Sequence, residues 1–391
     1  MKLAVGRNVF FLAGAQALGS SGPPVIISLG GLVGLMLAPD KSLATLPVSL
    51  YTIGLALSTI PLAFFMRRQG RRAAYTIAGL MGIFAGLIAA YGVVNNSFLL
   101  FCLGTALTGA NGAAVQSYRF AATDSARPEM RGRAVSMVMI GGLLGAVIGP
   151  QMAIWTRDML PGIPFAGSFL GQAGLTLLAL PMLLMLRTPP VGETSAIPGR
   201  PLLEIVRTPR FIMAAGTGIV SYALMSFVMT AAPLAMVGCG LSVGEAALGI
   251  QWHVLAMFAP SFFTGTLIDR FGAERVAASG LALIALGAVV AISGLGLYNF
   301  WGTLVLLGVG WNLGFLGATT MVASCHRPEE RAKVQGLNDF LVFGAVALAS
   351  LFSGGLVQSA GWNFIGWMTF PIVGAALLLI FLSSRADPRT A

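Results

Sequence analysis

The sequence predicts an all-α membrane protein with twelve transmembrane helices in two pseudo-symmetric six-helix bundles. Three observations carry this. The 391 residues are 57% hydrophobic and only 9% charged, with a mean hydropathy of +0.86; a soluble domain carries about 25% charged residues. The apolar runs are continuous and about 20 residues long, enough for a helix to cross a ~30 Å hydrocarbon core, whereas a membrane strand alternates over about 10 residues. Finally, a polar loop is written twice. Arg127-Pro128-Glu129-Met130-Arg131-Gly132-Arg133 returns as Arg327-Pro328-Glu329-Glu330-Arg331-Ala332-Lys333. A motif repeated at half the chain length implies two homologous halves, and a duplicated membrane unit suggests a transporter.

Taken in order, the expected spans are 8–37, 45–66, 73–94, 98–122, 133–156, 165–186, 210–238, 244–267, 276–297, 300–324, 334–357 and 362–383. The first is too long to be the apolar core of a cleaved signal peptide. Residues 1–186 form the first bundle and 210–391 the second. Between them, 187–209 is a cytoplasmic linker rich in proline (Pro189, Pro190, Pro198, Pro201). Within it, Leu202-Leu203-Glu204-Ile205-Val206 is a short surface helix, and Thr208-Pro209 supplies a cap and first turn for span seven.

The net charge of +10 is a topology device, not a nucleic-acid footprint. With the N-terminus inside, all Lys and Arg except Lys41 and Arg157 fall at cytoplasmic ends and loops. That asymmetry places both termini in the cytoplasm. The minimal outer loops suit a bacterial inner membrane. Cys102, Cys239 and Cys325 are scattered and make neither a disulfide framework nor a metal site.

Helix packing is written in glycine. Gly141, Gly145 and Gly149 recur every four residues on one face of span five, a spacing that lets helix backbones approach closely, and Pro150 follows as a kink. Ser20-Ser21-Gly22-Pro23-Pro24 breaks span one near its middle. Freed carbonyls there are tolerated where they face protein or a cavity.

Between spans eight and nine stands Gly265-Thr266-Leu267-Ile268-Asp269-Arg270-Phe271-Gly272-Ala273-Glu274-Arg275. It resembles the cytoplasmic signature of the major facilitator superfamily (MFS), a glycine four residues before Asp-Arg-x-Gly and then a basic residue. The corresponding loop between spans two and three, Ala63 to Arg72, keeps an Arg68-x-Gly70-Arg71 core but has Arg67 at the signature's aspartate. Gly145 to Pro150 resembles the family's Gly-x-x-x-Gly-Pro antiporter signature without its trailing glycine pair. In span four, Thr108 stands where the family often has an arginine. The resemblance covers the whole chain and implies the MFS fold of the bacterial twelve-helix type, with two bundles rocking about a central cavity. Gly265, Asp269, Arg270 and Gly272, with Arg68, Gly70 and Arg71, are then cytoplasmic gate residues. Asp339 in span eleven is a candidate partner for Arg68 or Arg71, against the plainer reading of an acid at a helix start.

Ionisable groups deep in the spans are functional hypotheses by default. His253, about ten residues into span eight, is the proton-coupling candidate; the bland alternative is a neutral imidazole satisfied locally. Ser242-Val243-Gly244-Glu245 has the spacing of a capping box. The remaining substrate-binding candidates are amides and aromatics: Gln16, Asn111, Gln116, Gln151, Tyr222, Gln251, Trp252, Trp311 and Asn312. For any one amide, the competing reading is a helix–helix hydrogen bond.

No phosphate-cradling glycine loop, Ser-His-Asp set or intramembrane carboxylate pair is present, so no enzyme, cofactor or metal centre is expected. The sequence reads as a monomeric secondary active transporter. Its cargo is a small, neutral or weakly charged, partly aromatic solute, moved by alternating access. Proton-coupled, efflux-like antiport is one mode. A proton-coupled metabolite importer, and a transporter-like scaffold or sensor that moves nothing, are the alternatives.

Overall fold

The computed structural model describes residues 6–125, 131–187, 200–327 and 330–386, and every regular element in them is helical. The first copy of the repeated loop (126–130) and most of the linker (188–199) lie outside the described residues. Two compact units emerge, one comprising Met1–Gly192 and Leu241–Val254, the other Glu193–Gly240 and Leu255–Ala391. The stretch 241–254, part of the second half in sequence, packs with the first unit.

In the first unit, α1 (Arg7–Gly19) ends at Ser20 and α2 (Gly22–Leu37) starts at once, with prolines in its first turn. Proline suits a first turn because its missing N–H has no intrahelical partner there anyway. The two make one broken span over Arg7–Leu37. α3 (Leu46–Val94) is divided at Gly70, α4 covers Phe98–Asp124, α5 Arg131–Thr156 and α6 Ala166–Leu184. Gly141, Gly145 and Gly149 press α5 onto the α1–α2 break. A Cβ at these positions would stand 2.3 Å from the Ala13 carbonyl oxygen, 2.1 Å from Ser20 Oγ and 2.4 Å from the Ser21 carbonyl oxygen. Glycine removes the obstacle, so the backbones touch and dispersion holds them where lipid offers no hydrophobic drive.

In the second unit, the short α7 (Leu202–Val206) precedes α8 (Pro209–Gly238), which Thr208 caps by accepting from Phe211 N. α11 (Ala273–Ile292), α12 (Leu297–Ala323) and α13 (Arg331–Ala386) complete it. α9 (Val243–Phe258) opens with the reciprocal capping bonds of Ser242 and Glu245. Where the sequence suggests one continuous span over 244–267, the structure is bent, with α9 giving way at Ala259-Pro260 to α10 (Ser261–Phe271). Pro260 has no N–H to continue the ladder.

Ten of the described helices are long and apolar enough to cross a bilayer, and the bent α9–α10 pair makes an eleventh. The last of the ten, Lys333–Leu382, runs 50 residues. At 1.5 Å per residue that is about 75 Å of helix, more than twice the hydrocarbon thickness. Gly361, at φ 79°, ψ 174°, divides it into two crossings.

Candidate functional site

The most distinctive grouping in the second unit is aromatic. Trp311 and Phe315 lie one turn apart on α12 and stack, with centroids 5.3 Å apart and planes within 13°. Tyr222 of α8 stands edge-on to Trp311, Phe315 and Phe343 at 5.1, 5.0 and 5.8 Å. Phe258 closes on Trp311 at 6.3 Å. The edge-to-face geometry sets positive ring edges against negative faces. Trp311 is buried, and among the described residues its indole N–H has no hydrogen-bond partner. A buried donor left unmade costs about 1–3 kcal/mol, a deficit that a ligand carbonyl would remove.

Asn312, the next residue on α12, is committed elsewhere. Its amide donates to the Met257 carbonyl (2.7 Å) and Ser261 Oγ (2.6 Å), and its oxygen accepts from Thr264 Oγ1 (2.6 Å). It therefore clasps the α9–α10 break, bonding a carbonyl at the end of α9 and two hydroxyls in the first turn of α10.

In the first unit, Gln151 of α5 donates to the side-chain oxygen of Gln251 on α9 at 2.9 Å. His253, two residues on, is fully buried, while Trp252 between them is 45% exposed. Gln16 is half-buried beside Gly141 and Gly142, Asn111 is buried against Gly82 of α3, and Gln116 is exposed. Thr108, at the place of the family's arginine, accepts from Gln172 Nε2 (3.1 Å) and donates to the Gly104 carbonyl (3.0 Å). The Gln172 side-chain oxygen is buried with no partner among the described residues. Sequence reasoning overlooked Gln172, although an amide amid the apolar residues of span six is itself a signal.

The signature loops share one backbone device. Gly70 (φ 80°, ψ 161°) and Gly272 (φ 87°, ψ 150°) turn the chain between consecutive helices. This region is essentially restricted to glycine. Asp269, Arg270 and Arg68 are exposed and Arg71 is half-buried. The Arg270 guanidinium lies 5.2 Å from the Phe271 ring centroid. Gly265 is exposed with open space around it. Asp339 is exposed on α13 and accepts from Asn338 Nδ2 at 3.3 Å.

The second copy of the repeated loop carries a clamp that the sequence did not reveal. Glu330 is fully buried and accepts from the Arg200 backbone N–H (2.9 Å), Arg200 Nε (2.9 Å), Arg200 Nη2 (2.8 Å) and the Arg327 backbone N–H (2.9 Å). The Arg200 guanidinium, then the Arg327 amide, hold its carboxyl well below the usual carboxylate range. Lys333 Nζ also donates to the Arg200 carbonyl. The linker's end is thereby fastened to this loop; in the first copy the corresponding residue is Met130.

Apolar helices of spanning length, broken spans and paired glycine-turned loops define a helical membrane protein. The chain belongs to the Major Facilitator Superfamily, whose profile matches residues 9–259 and 214–391. It is 59% identical over 391 residues to the riboflavin transporter RfnT of Brucella anthropi, covering 99% of this chain and 98% of that one. The uncharacterized MFS-type transporter YddS of Bacillus subtilis is 31% identical over 96% of this chain and 89% of its own. Among solved structures, a bacterial homologue of the human lysosomal transporter Spinster, inward-facing and occupied, matches with a TM-score of 0.73. It covers 98% of this chain and 97% of its own at 18% identity, which establishes likeness of fold.

Proposed function

We propose that this chain carries riboflavin, or a close relative built on the same flat tricyclic ring, across the cytoplasmic membrane of a bacterium by alternating access. The observation that carries this reading is the 59% identity, over nearly the full length of both chains, to a protein named a riboflavin transporter. The chemistry of the second unit supports it. The ring system is uncharged, aromatic and rich in carbonyls. The Trp311–Phe315 stack edged by Tyr222 offers apolar faces to such a ring, and the Trp311 indole N–H offers a donor to a ring carbonyl. Gln16, Asn111, Gln116, Gln151 and Gln251 of the first unit remain proposed polar substrate contacts. Trp252 remains a proposed aromatic contact, and the signature-loop residues with Asp339 the proposed gate.

The test is flavin fluorescence, which is quenched by stacking on indole. Purified protein should quench riboflavin saturably, and Trp311→Ala should weaken binding roughly tenfold or more, consistent with loss of an aromatic contact and one hydrogen bond. Saturable transport of other solutes with none of riboflavin would overturn the assignment. His253, buried on α9 beside Gln251, is the proposed proton site for exchange. His253→Ala should flatten the pH dependence of transport in proteoliposomes, and an unchanged pH profile would remove it.

A further inference from the structure

A cavity in the second unit borders the signature loop, which contributes Phe271, Gly272 and Arg275 to its wall. It measures about 900 Å³ and opens where four helices end: the start of α8 and of α11, the end of α12 and the last turns of α13. Its wall changes character with depth. Arg210, the second residue of α8, and Arg275, the third of α11, stand at the mouth with Glu274 and Ser324. One turn further in, the lining is mostly apolar, with Ala278, Met321 and Leu377 beside Thr320. Leu286 of α11 and Leu378 and Leu382 of α13 are exposed apolar side chains on the same two helices, at 47%, 56% and 56%.

Among the lining side chains, two guanidinium groups and one carboxylate sum to one formal positive charge. The apolar wall begins about 4–5 Å deeper, three residues along a helix. This is the charge and depth profile of one phospholipid, with a phosphodiester at helix-end level and acyl chains along the apolar helix faces. Arginine recognises phosphate oxygens by paired N–H donors, and basic pockets between membrane helices attract anionic headgroups. A soluble anion would leave the apolar wall unused. A zwitterionic lipid would leave one positive charge unmatched.

We infer that this groove is a binding site for one anionic phospholipid, held by Arg210 and Arg275 with its chains against Met321, Leu377 and Phe381. The site is separate from the aromatic cluster and independent of the identity of the transported solute, though it shares Gly272 with the proposed gate.

The experiment uses the full chain purified in detergent. Its thermal midpoint is titrated with phosphatidylglycerol, with phosphatidylcholine of the same acyl chains, and with glycerol 3-phosphate. The expected result is a saturable rise with phosphatidylglycerol alone. The double variant Arg210→Gln/Arg275→Gln should weaken that response roughly thirtyfold, as expected for two basic contacts. Arg207→Gln, an exposed arginine outside the groove, should retain it. Leu377→Trp keeps both arginines and fills the wall, so it should also lose the response; it serves if the double variant does not fold. An equal rise with phosphatidylcholine would overturn the inference. So would a rise reproduced by glycerol 3-phosphate, or an undiminished response in both groove variants.

Discussion

Replacing Gly141 by alanine adds one methyl group at the tightest approach between α5 and α1. The new Cβ would stand 2.3 Å from the Ala13 carbonyl oxygen and 3.2 Å from Gln16 Cβ. The obstacle is backbone, so no side-chain rotation relieves it. Reaching an ordinary contact of 3.4 Å or more requires the two helices to part by about 1 Å. A gap of that size forfeits a quarter to a half of each dispersion well across the contact, at about 0.1–0.2 kcal/mol per atom pair. Over a few tens of pairs the loss is about 2 kcal/mol, within the range of overpacked cores. Gly142→Ala is the internal control, because its Cβ meets only Gln16 Nε2 at 3.8 Å. Both variants gain the same helix propensity from Gly to Ala, so their difference isolates the close approach. Thermal or denaturant unfolding of the two purified variants should place Gly141→Ala roughly 1–3 kcal/mol below Gly142→Ala. Equal stability would refute close backbone packing as the reason for glycine there.

Two further outcomes follow from the clamp and from topology. The Glu330 carboxyl is depressed below its reference value of 4.5, so its stabilisation is complete above that pH and declines as pH falls towards the folded-state value. The stability gap between wild type and Glu330→Gln should therefore be constant near neutrality and shrink below about pH 4.5; a gap unchanged down to pH 3 would remove the charge from the explanation. Cys239 is exposed just beyond the end of α8, and Cys325 is half-exposed just beyond the end of α12. The proposed orientation, with both termini inside, predicts that a membrane-impermeant maleimide labels Cys239 in intact cells and reaches Cys325 only after the membrane is opened. The reverse pattern would invert the orientation.

The helical membrane class and the repeated loop were legible because both are local properties. Hydropathy reports burial in lipid residue by residue, and a repeated loop survives in sequence whatever its neighbours do. The signature loops were legible for the same reason: Gly70 and Gly272 are dictated by their own backbone angles. The fates of individual polar side chains were not. Asn111 and Asn312 occupy matching places in the two repeats, yet Asn312 is fastened to the α9–α10 break while Asn111 packs on Gly82. Nothing in the spacing of the two amides distinguishes those roles.

Sequence alone determined that this chain lives in a bilayer, that one polar loop is written twice, and that a glycine stands in each signature loop, because solvent transfer and backbone sterics act on residues one at a time. Tertiary structure decided which rings stack on Trp311, which amides are already spent, that Glu330 holds the linker, and that a groove with two arginines at its mouth lies among four helix ends. Each of those depends on distances between residues tens to more than a hundred positions apart, which are set only when the helices pack.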